Sequence, residues 1–205
     1  MRKTPFVNGE IYHIYNRGTD KRIIFSDDEE MDRFMQSMEE FNTIEPIGSI
    51  YENSILFAKS KKLGSSASKK QPEQLEDKLV NFISYCLNPN HYHFLLEQIA
   101  ENGIVKFMQR LSNGYTKYFN NKNSRNGVLF QGRFKSIHID SNEYLLHISA
   151  YVNLNDRVHQ LGHSMSKSDL VRSRSSWEEY VGNRQTSSDF CNKDIILGQF
   201  ESKDD

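Results

Sequence analysis

Residues 10–16, EIYHIYN, crowd β-branched and aromatic side chains and end at Arg17-Gly18, which predicts a first strand and a turn. A capping pattern at Ser26 and Glu29 opens a helix whose apolar stripe is Met31, Phe34, Met35, Met38 and Phe41. Two β-rich runs, 79–87 and 91–98, flank Asn88-Pro89-Asn90 and read as a hairpin. Residues 103–121 form the clearest amphipathic helix. Ile104, Met108, Leu111, Tyr115 and Tyr118 make one stripe, with Lys106, Arg110, Asn113 and Lys117 opposite. A polar turn at 123–127, a strand at 134–139 and a helix at 141–154 follow, the helix N-capped by Ser141 with Glu143 in its first turn. The order β-α-β-β-α-β-α predicts an α+β domain: a ferredoxin-like (RRM-like) antiparallel sheet with helices packed on one face.

Two stretches break this rhythm. Residues 46–76 hold the cluster SKKLGSSASKKQ and read as an exposed, mobile insertion. Residues 161–205 are Ser-rich, with short patterned pieces at 177–181 and 195–200. We therefore expect one domain at 1–160 and a C-terminal extension at 161–205.

Composition narrows the class. The chain has 205 residues and a mean hydropathy of −0.70, enough for one domain with extensions. Neither a signal-length apolar start nor a run of ~18 apolar residues occurs, so we expect a soluble, cytoplasmic protein with no membrane partner. Cys86 and Cys191 stand far apart, which argues against a disulfide framework and a cysteine zinc site. The net charge of −1 hides an uneven distribution. Residues 26–45 carry eight acids and one base, whereas residues 102–139 carry seven bases and no acid. Such a polarised molecule can offer phosphate a cationic surface whatever its total charge.

The chemistry centres on His91 and His93. On a strand they share a face, with Cα atoms about 7 Å apart, and rotamers can bring both rings to one ion at ~2.1 Å. A pair of half-buried strand histidines bonded to backbone or water satisfies the same pattern. Over that face the helix at 141–154 can present Tyr151 and Asn155, i and i+4 neighbours. A His/His/Asn set suits a hard ion such as Mg²⁺ or Mn²⁺. Equally, Tyr151 can be a core aromatic and Asn155 a helix C-cap. The remaining histidines, His13, His138, His147, His159 and His163, read as packing or surface residues.

Five stretches in order resemble one family: residues 12–18 (YHIYNRG), 88–96 (NPNHYHFLL), 115–120 (YTKYFN), 127–136 (GVLFQGRFKS) and 143–155, from EYLL to YVNLN. The chain resembles the HUH single-strand-specific tyrosine transposases, nearest the REP-associated tyrosine transposase branch. The resemblance covers roughly residues 9–158. It implies the HUH endonuclease fold, His91, His93 and Asn155 as ligands of Mg²⁺ or Mn²⁺, and Tyr151 as the nucleophile. It also implies single-stranded, hairpin-marked DNA as the partner, and leaves open a homodimer with the tyrosine acting across it. Tyr92 is bulkier than the aliphatic residue usual between the histidines, and Asp156 stands where the family commonly has proline.

The implied reaction is a transesterification in which a tyrosine displaces a 3′-OH and keeps a 5′-phosphotyrosine link. A free phenol, with a pKa near ~10, is a weak nucleophile at neutral pH and needs activation. Tyr144, two turns before Tyr151, is its main rival; Tyr115 and Tyr118 read as core. For the DNA track we expect Lys106, Arg110 and Lys117, with Arg133, Lys135 and Arg17 nearby, and bases stacking on Phe130 or Phe134. Two other readings stand beside this one: a domesticated, non-catalytic nucleic-acid-binding protein on the same fold, and an unrelated histidine metalloenzyme.

Overall fold

Strands β1 (Ile11–Arg17), β2 (Val80–Asn88), β3 (His91–Gln98), β4 (Lys135–Ile139) and β5 (Arg174–Ser175) form one antiparallel sheet in the order β4-β1-β3-β2-β5. The computed structural model describes residues 5–52, 54–55, 77–160, 173–182 and 190–200. Most of the expected insertion at 46–76, and residues 161–172, 183–189 and 201–205 of the expected extension, lie outside the described residues.

Central β3 is apolar on one side and mixed on the other, so both its faces need cover. Its register is defined on both flanks: Tyr15 and Cys86 lie opposite His93, and Arg17 and Asn88 lie opposite His91. The expected element order is found with small shifts at the ends. The helix cap moves by one residue. Asp27, not Ser26, caps helix α1 (Asp28–Glu40), accepting from Glu30 N at 2.8 Å, while Glu30 accepts from Ser26 N at 2.6 Å. Asp27 has the extended backbone an N-cap needs, and its carboxylate suits the helix dipole.

Helices α1 and α2 (Gly103–Lys122) share one face of the sheet. Met31, Phe34 and Met38 of α1 and Phe107, Leu111 and Tyr115 of α2 join Tyr92, Phe94 and Leu96 in the larger core. Gly114 lets α2 approach α1, because a Cβ there would lie 2.6 Å from the Phe41 ring.

The arrangement expected for the helices, all on one face, holds for these two. A third, α3 (Asn142–Asn153), covers the opposite face, packing Leu145, Ile148 and Val152 on Ile83, Cys86 and Leu95. Strand alternation requires it, since Leu95 and Ile83 would otherwise meet water. Ser141 caps α3 as expected, accepting from Tyr144 N. The chain turns at Leu154 and restarts as the short α4 (Asn155–Gln160).

The described parts of the extension are built onto this body. β5 pairs with β2 at Cys86 and Leu87. It leads into α5 (Trp177–Val181), and after it comes α6 (Asp194–Leu197), whose Ile196 enters the smaller core. Arg174 bonds Asp32 and Asp28 of α1, and Tyr180 donates to the Ile83 carbonyl at 2.8 Å. Both cysteines are buried and free.

Candidate active site

The α3 side of the sheet carries a polar cluster at the turn joining β2 to β3. Alternation places His91 and His93 there, and the register adds His13, Tyr15 and Arg17 from β1 and Cys86 and Asn88 from β2. Helix α3 lays Tyr151 over them, and the turn at Leu154 drops Asn155 into the same space.

Asn155 is fully buried, and its Oδ1 lies 3.3 Å from His91 Nε2. Asn88 joins the two. Its amide nitrogen donates to Asn155 Oδ1 at 2.9 Å and lies 3.1 Å from His91 Nε2, while its Oδ1 accepts from Ser173 Oγ at 2.9 Å. His91 Nδ1 lies 2.6 Å from Asn90 Oδ1. An amide oxygen can only accept, so the neutral ring holds its hydrogen on Nδ1 and turns the Nε2 lone pair towards Asn155. Two acceptor atoms therefore converge on one spot.

His93 is 9% exposed, and its Nδ1 lies 2.9 Å from His13 Nε2. A ligating role at His93 then falls to Nε2. The His91 and His93 ring centres are 5.3 Å apart. Tyr151 stands edge-on to His93 at 5.7 Å and to His13 at 6.2 Å between ring centres, and it is 39% exposed. Tyr15 stacks on both imidazoles. Burial pulls His13 down to about 4 from its ordinary 6.5, which keeps it neutral near pH 7.

Among the described residues, no three His, Cys, Asp or Glu side chains form a metal-ready cluster. The donor set is two imidazoles and an amide, without thiolate or carboxylate. It fits a hard divalent ion that fills its remaining positions with water and phosphate oxygens. The Asn155 oxygen supports that fit, since it is buried and lies 3.3 Å from the His91 Nε2 lone pair. Serving as a helix C-cap is not its role, since Leu154 caps α3.

The rival tyrosines are occupied elsewhere. Tyr115 is buried and donates to the Ile24 carbonyl at 2.6 Å, and burial raises its phenol far above the ordinary range. Tyr118 bonds Glu29, and Tyr144 packs against the smaller core.

The six cations expected to track DNA fall on two sides. Arg17 and Lys135 belong to the α3 side, because Arg17 pairs with His91 and Lys135 with Tyr15. Arg133 is exposed in the turn before β4, and Arg17 bonds Gln131 of that turn. Lys106 and Lys117 are exposed on α2, across the sheet from Tyr151. Arg110 spends its guanidinium on the Thr43 and Ile44 carbonyls. Phe130 is 6% exposed within the core, so it offers no stacking surface; Phe134 is half-buried and stacks on Phe6.

Three residues of the cluster escaped the sequence reading. His13 reads as a packing histidine until the β1–β3 register sets it beside His93. Asn88 reads as a turn residue, and Ser173 comes from beyond any motif. Strand parity alone put His13 and Tyr15 on one face; which neighbour they met was not in the local pattern.

A comparison with curated proteins gives no match. Among solved structures the chain is similar to a REP-associated tyrosine transposase bound to a REP hairpin. The identity is 11%, covering 89% of this chain and 86% of that one, with a TM-score of 0.54. It also matches a structure described as a transposase, from Deinococcus radiodurans R1, at 12% identity over 74% of this chain and 95% of that one. At its TM-score of 0.39 that likeness carries no argument. The first match shows a shared fold. A family model for IS200-like transposases matches residues 51–155, just over half the chain, from the insertion through the hairpin to Asn155. The chain belongs to the IS200-like transposase family.

Proposed function

We propose that this transposase nicks and rejoins single-stranded DNA through Tyr151, with His91, His93 and Asn155 holding a divalent ion, Mg²⁺ or Mn²⁺, at the scissile phosphate. The observation that carries this reading is the meeting of an accessible tyrosine with two imidazoles and a buried amide, drawn from β3, α3 and the start of α4. When bound, the ion supplies charge neutralisation at a non-bridging phosphate oxygen. Tyr151 sits on a packed helix, which limits its search for in-line geometry. Its phenolic oxygen forms the bond to phosphorus as the bond to the 3′ oxygen breaks, and that oxygen leaves as a 3′-OH with a proton. The 5′-phosphotyrosine link conserves the bond energy, so a 3′-OH can reverse the step and join strands. Arg17 and Lys135 flank the site on its own side, with Arg133 in the turn just before Lys135, and these are the cations best placed to guide the backbone. The hairpin in the REP-associated relative suggests hairpin-marked DNA as the substrate.

The test is adduct formation with a single-stranded, hairpin-bearing oligonucleotide in Mn²⁺. A covalent protein–DNA band is expected, absent with EDTA and in Tyr151→Phe. An undiminished adduct in that variant overturns the nucleophile assignment. Tight oligonucleotide binding with no adduct under any metal condition replaces this reading with a non-catalytic binding protein.

A further inference from the structure

A buried histidine outside the proposed ligand set touches one of its members. His13 is 5% exposed, its Nε2 lies 2.9 Å from His93 Nδ1, and the two ring planes are within 17° of each other with centres 5.1 Å apart, as an in-plane hydrogen bond requires. The contact is built into the sheet. His13 pairs with Leu95 and Tyr15 with His93, so His13 is the diagonal neighbour of His93 on adjacent strands. Tyr15 stacks on both rings, and Tyr151 closes the cluster edge-on.

We propose that His13 is a positioning residue: its Nε2 accepts the Nδ1 hydrogen of His93, holding His93 in the tautomer whose Nε2 carries the lone pair. A hydrogen bond between two imidazole nitrogens needs one hydrogen, and the side that supplies it sets both tautomers. If His13 supplied it, His93 would carry its own hydrogen on Nε2 and could not ligate through that atom. If His93 supplies it, His93 matches His91, whose Nδ1 hydrogen goes to Asn90. The two histidines then present the same nitrogen in the same state. Outer partners of this kind fix ring orientation and raise ligand basicity. Burial keeps water from competing for the bond.

Both the direction of this bond and its functional consequence rest on the ion-binding reading above, and the experiment separates them because the tautomer is read without metal. Two-bond proton–nitrogen correlation spectra of the full-length protein, without added metal, read the His93 ring directly. The expected wild-type state is Nδ1–H. His13→Phe, which keeps an aromatic plane and removes the acceptor, should shift His93 towards Nε2–H; His13→Gln, which restores an acceptor oxygen, should return it. Calorimetric Mn²⁺ titration of the same proteins should show about 10- to 100-fold weaker binding in His13→Phe and near-wild-type binding in His13→Gln. Nε2–H at His93 in the wild type overturns the proposal. So does a tautomer unchanged in both variants. Wild-type protein that takes up no Mn²⁺ sinks the ion-binding reading, while the spectra still decide the role of His13.

Discussion

On one side of β3, Tyr92, Phe94 and Leu96 are fully buried beneath α1 and α2. On the other, His91 and His93 face α3 through a net of amides and imidazoles, with an exposed tyrosine above them. Adjacent residues of one strand thus do opposite work. The first face is aromatic and dry, and its contacts gain from every buried ring. The second buries polar atoms and satisfies most of them through one another: Asn88 serves Asn155, His91 and Ser173, and His13 serves His93. Stability is concentrated on the apolar side, so the polar side can keep geometry that serves chemistry.

That contrast can be broken from either side. The largest effect on stability is expected at Phe94→Ala, which opens a cavity among Phe34, Phe82 and Tyr92. Urea unfolding should show a loss of about 3–5 kcal/mol. Asn88→Ala should cost less, about 1–3 kcal/mol, because it strips a donor from the buried Asn155 oxygen and an acceptor from Ser173. It should also weaken Mn²⁺ binding, which Phe94→Ala should not do where the protein remains folded. A loss at Asn88 as large as that at Phe94 would show that the polar face bears the fold too.

The smallest effect sharpens the comparison in DNA binding. Arg133→Ala with Lys135→Ala should lower the salt dependence of single-strand binding by about 0.7 in log–log slope for each phosphate no longer neutralised. Lys106→Ala with Lys117→Ala, across the sheet, should leave that slope unchanged. The reverse result would move the DNA track to the α2 face.

Much of the fold was legible. The spacing of Met31, Phe34 and Met38 marked α1, the alternation around Asn88-Pro89-Asn90 marked the hairpin, and Ser141 capped its helix as read. These signals are local, set by 3.6- and 2-residue periods. The site was legible in part. Strand parity put His91 and His93 on one face; Tyr151 and Asn155 were singled out by the resemblance. The helix expected to carry both ends at Asn153, with a turn at Leu154 bringing Asn155 in. The cationic stripe on α2 lies across the sheet from Tyr151, which periodicity could not show, because it tells which residues share a helix face and nothing of what lies beyond the sheet. Arg110 illustrates this: its charge reads as free for phosphate, yet the fold commits it to two carbonyls. Phe130 likewise reads as an exposed stacker and is core.

The sequence by itself determined most of the elements and their order, because these rest on residue identity and near-neighbour spacing; the roles proposed for His91, His93, Tyr151 and Asn155 came from the family resemblance. The tertiary structure decided which face α3 covers and which cations share the tyrosine's side. It also decided that His13, Asn88 and Ser173, 160 positions apart from first to last, belong to one cluster. The physical reason is register: hydrogen-bonded pairing of distant strands sets those contacts, and no local pattern encodes the partner of a strand.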